Sequence, residues 1–227
     1  PEARRLRFVP APATCAEVDQ LVRALGLAGR RPLVIIHPGG GANPGMTLAL
    51  KRWPAERFGQ LAARLEGELG ATVLLVGARS DQDICMRVLE TACRAGGTPV
   101  DLCARLSFGQ LGALAARCDL YIGNDAGTTH LAAAAGAPVL ALFGPSAPYT
   151  YGPTAPSSAA VWRTPPQGSK TQSDGRDGGR AGVPSSARAP GAQALAQAKQ
   201  ATRAAATLGH RPTARCALML RQCPYGG

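Results

Sequence analysis

The chain has 227 residues, 45% of them hydrophobic and only 4% aromatic, with a formal net charge of +11. No run of about 18 apolar residues occurs, so no membrane-spanning helix is predicted. The charge would ordinarily point to nucleic acid or an anionic surface, but residues 1–153 carry 15 Lys and Arg against 12 Asp and Glu, and residues 154–227 carry 10 against 2. The basic excess therefore sits in the tail, which interleaves no aromatics with its arginines, and no nucleic-acid partner is expected.

The first residues, Pro-Glu-Ala-Arg-Arg, include neither Met nor an apolar signal segment, so a piece of a longer polypeptide is expected. Seven cysteines, at 15, 85, 93, 103, 118, 216 and 223, form no CxxC pair and no zinc-like Cys/His spacing. No metal is expected, and unpaired cysteines at apolar positions suit a reducing cytoplasm.

Residues 1–30 read as a linker and a leading helix from about Ala16 to Leu25, with Val18, Leu21, Val22 and Leu25 on one face. Leu33-Val34-Ile35-Ile36-His37 is a continuous apolar run of strand length, which suits a strand covered on both faces. The loop that follows, His37-Pro38-Gly39-Gly40, cannot be helical and can lay backbone amides against an oxyanion. It matches neither a Walker A loop nor a G-x-G-x-x-G turn.

Lys51-Arg52-Trp53-Pro54 precedes a helix whose core face carries Phe58, Leu61, Leu65 and Leu69, ended by Gly70. Cations at a helix start oppose its dipole unless an anion lies between them, so Lys51 and Arg52 argue modestly for a bound phosphate; two solvated surface cations are the plainer reading. Thr72 to Gly77 is a second buried strand. Ser80 or Asp81 caps the next helix, with Ile84, Val88, Leu89 and Ala92 inward. Val100-Asp101-Leu102 is a short strand, and Ser107 caps a helix running to about Arg117.

The stretch from Asp119 to Pro145 is a βαβ unit: a strand from Leu120 to Gly123, an Ala-rich helix from about Thr128 to Ala135, and a strand from Val139 to Phe143. The turn Asn124-Asp125-Ala126-Gly127-Thr128-Thr129-His130 opens that helix, where free N–H groups and the dipole favour an anion. The competing reading makes Asp125 an N-cap and His130 a partly buried histidine. Strand and helix alternating at this rhythm predict a Rossmann-like, doubly wound α/β domain over residues 31–153, with five parallel strands and helices on both faces.

Beyond Pro153 the periodicity collapses: of the 38 residues from Thr154 to Gly191, 19 are Pro, Gly, Ser or Gln. Residues 154–227 are read as a low-complexity basic tail, disordered or out of frame, with an Ala-rich helix conceivable from Ala192 to Leu208.

The His37-Pro38-Gly39-Gly40 loop, the Lys51-Arg52-Trp53-Pro54-Ala55-Glu56-Arg57-Phe58 segment, and Asn124 to Ala133 with Phe143-Gly144-Pro145-Ser146 together resemble the donor-binding domain of glycosyltransferase family 9, the ADP-heptose:lipopolysaccharide heptosyltransferases. The resemblance spans residues 20–153 and implies the C-terminal half of a GT-B glycosyltransferase. It implies an inverting, cofactor-free transfer from a nucleoside-diphosphate sugar to a lipopolysaccharide-type or related glycan acceptor. By this resemblance Lys51 and His130 are the catalytic candidates. Gly39, Gly40, Lys51, Asp81, Leu106, Asp125, Ala126, Gly127, Thr128 and His130 would hold the donor, with Asp81 on the ribose, Leu106 on the adenine and Lys51 on a phosphate.

Three departures bear on the sugar and the nucleotide: Ala126 where Thr or Ser is common, Asp81 in place of a longer Glu, and a longer loop from Ala42 to Leu50. The acceptor is expected to bind an N-terminal domain that this sequence lacks, which also supplies the general base. The implied location is cytoplasmic, with peripheral association on the inner face of the plasma membrane open to the full-length protein. The alternative function is a non-catalytic nucleotide-sugar-binding module; other GT-B enzymes such as sugar-nucleotide epimerases are more distant.

Overall fold

The computed structural model describes residues 6–40, 42–43, 46–47, 51–153, 155 and 157–162. Its elements are α1 (Pro12–Ala24), β1 (Leu33–His37), a short antiparallel pair β2 (Ala42–Asn43) and β3 (Met46–Thr47), α2 (Ala55–Leu69), β4 (Thr72–Leu75), α3 (Gln82–Arg94), β5 (Val100–Asp101), α4 (Phe108–Ala115), β6 (Leu120–Asn124), α5 (Gly127–Ala134), β7 (Val139–Phe143), α6 (Pro148–Tyr151) and β8 (Ser158–Trp162).

Six strands form one sheet in the order β5-β4-β1-β6-β7-β8, every pairing parallel. From β1 the chain winds outward to β4 and β5, then returns to the other side of β1 and continues through β6, β7 and β8. The reversal lies between β1 and β6, where Val34 pairs with Leu120 and His37 with Gly123.

Both faces of the sheet are covered, which explains why β1, β6 and β7 are buried along their whole length. Successive strand residues point to opposite sides. Val34, Ile36, Val73, Leu75, Leu120 and Ile122 pack with Phe58, Leu61 and Leu65 of α2 and Val88 of α3. Leu33, Ile35, Leu74, Val76 and Tyr121 pack with Val18 of α1, Leu114 of α4 and Leu131 of α5. Burying a Leu, Ile, Val or Phe side chain in this way contributes roughly 1.5 to 3 kcal/mol each.

Local signals set the helix ends. Gly70 closes α2 in the left-handed region at φ 62°. Ser107 and Gln110 form a reciprocal capping box at the start of α4, the hydroxyl accepting the Gln110 N–H and the amide oxygen accepting the Ser107 N–H. Pro54 is the cap residue of α2 rather than its first helical position. The leading helix begins at Pro12, earlier than Ala16, because a proline fits a first helical turn without losing a hydrogen bond.

The sheet has one strand more than the five expected. Ser158–Trp162 adds to the edge of β7 in register from Val139–Ser158 to Phe143–Trp162. This strand lies beyond residue 153, in a stretch whose Pro, Ser and Gly content hid a five-residue run, Ser-Ala-Ala-Val-Trp. The expectations for residues 163–227, including the helix from Ala192 to Leu208, lie outside the described residues. Among the described residues no helix is long and apolar enough to cross a membrane.

Candidate donor-binding site

In an open parallel sheet the crevice for a ligand opens at the carboxyl ends of the strands where the winding reverses. Here that point is the end of β1 and β6, and three loops meet on it. Asn124, fully buried at the last position of β6, joins them: its Oδ1 accepts the Trp53 N–H at 2.9 Å, and its Nδ2 donates to the carbonyls of Pro38 at 2.8 Å and Gly39 at 3.0 Å. One amide thus fixes the glycine loop and the start of α2 against the strand end.

With those loops in place, Lys51 Nζ lies 3.1 Å from Asp125 Oδ2. Arg52 Nε donates to the Gly40 carbonyl at 2.5 Å. Gly40 has φ 104°, and a Cβ there would stand 2.8 Å from the Ala126 methyl. The loop and the α5 turn touch so closely that Gly40 has no room for a side chain, and Ala126 is the small partner it meets.

A cleft of about 440 Å³ opens on this junction. Lys51, Asp125, Ala126, Gly127 and Thr128 line it, at the start of α5 where the first N–H groups have no preceding turn to donate into. Leu106, Ser107, Phe108 and Leu111 line it as well, and Phe108 is 61% exposed. His37, Val76, Gly77 and Asp81 complete the lining, His37, Val76 and Asp81 being buried. The cleft lining therefore combines polar groups suited to an anion with apolar side chains suited to a flat ring.

Asp81 is buried rather than presented to the cleft mouth. Its Oδ2 accepts the Ala78 N–H at 3.0 Å and lies 3.9 Å from His37 Nε2, while Oδ1 lies 4.0 Å from Arg52 Nη2. It is close enough to the glycine loop that a Cβ on Gly39 would come within 2.4 Å of its Cγ. Gly39 is itself buried and is not among the residues lining the cleft, and neither is half-buried His130 on the first turn of α5.

Two residues that sequence reasoning did not single out for the site belong to it, Asn124 and His37. His37 ends β1 and is buried at the cleft base, with Nδ1 3.5 Å from Thr128 Oγ1. Burial lowers its pKa below the ordinary value of 6.5, partly opposed by the Asp81 charge. Both residues are polar groups closing an apolar strand, and both open motifs that carry the family resemblance. Under the base, burial pushes the Cys85 and Cys103 thiols up, so neither is poised as a nucleophile. No group of three metal-ligating side chains converges among the described residues.

The profile of glycosyltransferase family 9 (heptosyltransferase) matches residues 14–177. The chain belongs to this family. The family 9 match extends past β8, beyond the end expected for the folded domain.

The family 9 chain is 29% identical over 160 residues to lipooligosaccharide heptosyltransferase 2 of Haemophilus influenzae, covering 67% of this chain and 42% of that protein. It is 34% identical over 131 residues to lipopolysaccharide heptosyltransferase 2 of Escherichia coli K12, covering 54% and 34% respectively. Among solved structures, a glycosyltransferase family 9 protein of Veillonella parvula superposes with a TM-score of 0.62 at 28% identity, over 70% of this chain and 43% of that one. The Escherichia coli ADP-heptose LPS heptosyltransferase II superposes with a TM-score of 0.55 at 25% identity, over 68% and 44%. The chain thus spans less than half the length of these relatives.

Proposed function

We propose that this chain is the donor-binding half of a GT-B glycosyltransferase that takes an ADP-heptose-like nucleoside-diphosphate sugar and serves an inverting transfer to a lipopolysaccharide-type acceptor. The observation that carries the reading is the mixed lining of the cleft, Lys51 and the start of α5 together with Leu106, Phe108 and Leu111. A nucleoside diphosphate has this polarity, an apolar base joined through ribose to a strongly anionic group. The names of the relatives supply the sugar and the acceptor class.

In this reading the diphosphate lies across the amide end of α5 beside Lys51, and the base lies along Leu106 and Phe108. As the acceptor hydroxyl attacks the anomeric carbon, the bond to the diphosphate breaks and negative charge grows on its oxygens. Lys51 and the α5 amides stabilise that charge, by roughly 2 to 4 kcal/mol per well-placed donor where water is excluded. In this reading the acceptor-binding half supplies the base that deprotonates the acceptor, since the chain matches less than half the length of its relatives. Asp81 supports the ribose side mainly by fixing the loop around Ala78, while His130, outside the cleft lining, is assigned to the sugar by the family resemblance alone.

Calorimetric titration of ADP and of adenosine into the full chain tests the proposal. ADP binding that is stronger than adenosine binding is expected; equal affinities, or no ADP binding, would overturn it.

A further inference from the structure

We infer that His37 is a positioning residue that turns the Thr128 hydroxyl into the cleft when a diphosphate binds, and takes up a proton as it does so. The inference rests on the donor-cleft reading above.

The geometry is a chain of polar contacts under the cleft. Arg52 Nη2 lies 4.0 Å from Asp81 Oδ1, Asp81 Oδ2 lies 3.9 Å from His37 Nε2, and His37 Nδ1 lies 3.5 Å from Thr128 Oγ1. The ring cannot turn to water, because His37 is only 4% exposed. Thr128 stands in the first turn of α5 and lines the same cleft as Lys51. Its hydroxyl can therefore face the ring, the buried Tyr121 phenol beside it, or a ligand.

Which way it faces follows from the protons on the ring. A neutral imidazole has one N–H, and the carboxylate beside Nε2 draws it there. Nδ1 is then an acceptor and pulls the Thr128 O–H back toward itself. Protonated, Nδ1 becomes a donor to Thr128 Oγ1, and the Thr128 O–H is released to donate into the cleft. Burial disfavours the charged ring. A diphosphate arriving beside Thr128 adds negative charge close to the ring, which favours the imidazolium, and the proton comes from solvent.

The groups facing His37 are consistent with this switching. Asp81, from the turn before α3, favours the charged ring, whereas Arg52, before α2, opposes it. Lys51 and Asp125 pair with each other, and the Tyr121 phenol of β6 is buried beside Thr128 and Thr129. Burial opposes the charged ring most strongly, Asp81 and a hydrogen bond with the backbone of His37 itself favour it, and Arg52 opposes it least, so the negative charge of a ligand adds to the groups that favour the imidazolium.

The test is ADP titration into the full chain near neutral pH, in two buffers of different ionisation enthalpy, which reports the protons taken up per ADP bound. The wild type should take up more than His37→Asn, since titration of the diphosphate itself is common to both. Thr128→Val, which keeps the shape, should weaken ADP by about tenfold, the lower range for a hydrogen bond to a charged group. Thr128→Ser, which keeps the hydroxyl, should restore affinity. Adenosine binding should change in none of them. Adding His37→Asn to Thr128→Val should cause no further loss. Equal proton uptake in wild type and His37→Asn, or an ADP affinity unchanged by Thr128→Val, would overturn the inference while leaving the cleft reading intact. A wild type that fails to bind ADP would overturn both.

Discussion

Lys51 and Asp125, 74 residues apart in sequence, meet at 3.1 Å in the lining of the cleft. The cation that looked misplaced at the start of α2 is held by a carboxylate at the start of α5, and together they border the cleft. Lys51→Ala removes the cation and leaves the Asp125 charge facing the same space. ADP affinity should fall by roughly 1.5 to 3 kcal/mol, and adenosine affinity much less. Titrating both ligands into both proteins checks this; equal losses would mean that Lys51 acts on something other than the diphosphate.

Asn124 should be the most sensitive polar residue of the junction. Asn124→Ala leaves the Trp53 N–H and the carbonyls of Pro38 and Gly39 without their partner, and each buried group so orphaned costs about 1 to 3 kcal/mol. A fall of about 3 kcal/mol in unfolding free energy is expected, read from the urea midpoint with an unchanged slope. Asn124→Asp should be no milder, because it places an oxygen against two carbonyls.

Gly39→Ala should also destabilise, by about 1 to 3 kcal/mol, because the new methyl falls on the Asp81 carboxylate. If that contact is the cause, the double variant Gly39→Ala/Asp81→Ala should lose less than the sum of the two single losses. Strict additivity in thermal unfolding would place the strain elsewhere.

Acid should weaken the fold through His37. Its folded-state pKa is lowered from 6.5 by burial, so below about that value the unfolded chain binds the extra proton more readily than the native one. The contribution is fully present above the unfolded pKa and is lost as pH falls through the window beneath it. Unfolding free energy measured from about pH 7.5 down to about pH 5.5 should fall less steeply in His37→Asn than in the wild type.

The sequence by itself determined the layered α/β domain. Runs such as Leu33 to Ile36 and Val139 to Phe143 are apolar at every position, which suits only strands covered on both faces, and helical spacing from Phe58 to Leu69 supplied a cover. It also placed Asp125, Ala126 and Gly127 at a helix start, because small polar turns between a buried strand and an Ala-rich helix have few other shapes. It left β8 hidden, since an edge strand of five half-buried residues needs no strong pattern when its neighbour β7 supplies the pairing.

What only the tertiary structure decided is which of those loops touch and which side chains turn inward. Asp81 and Ser80 were equally good cap residues in the sequence; packing under Gly39 buried the first against Ala78 and left the second exposed on the cleft. His37 read as the polar end of a strand, and became part of the cleft base because β6 and α5 bring Thr128 over it. Such juxtapositions depend on contacts between residues tens of positions apart. Local propensity and periodicity act over a few residues and carry no record of them.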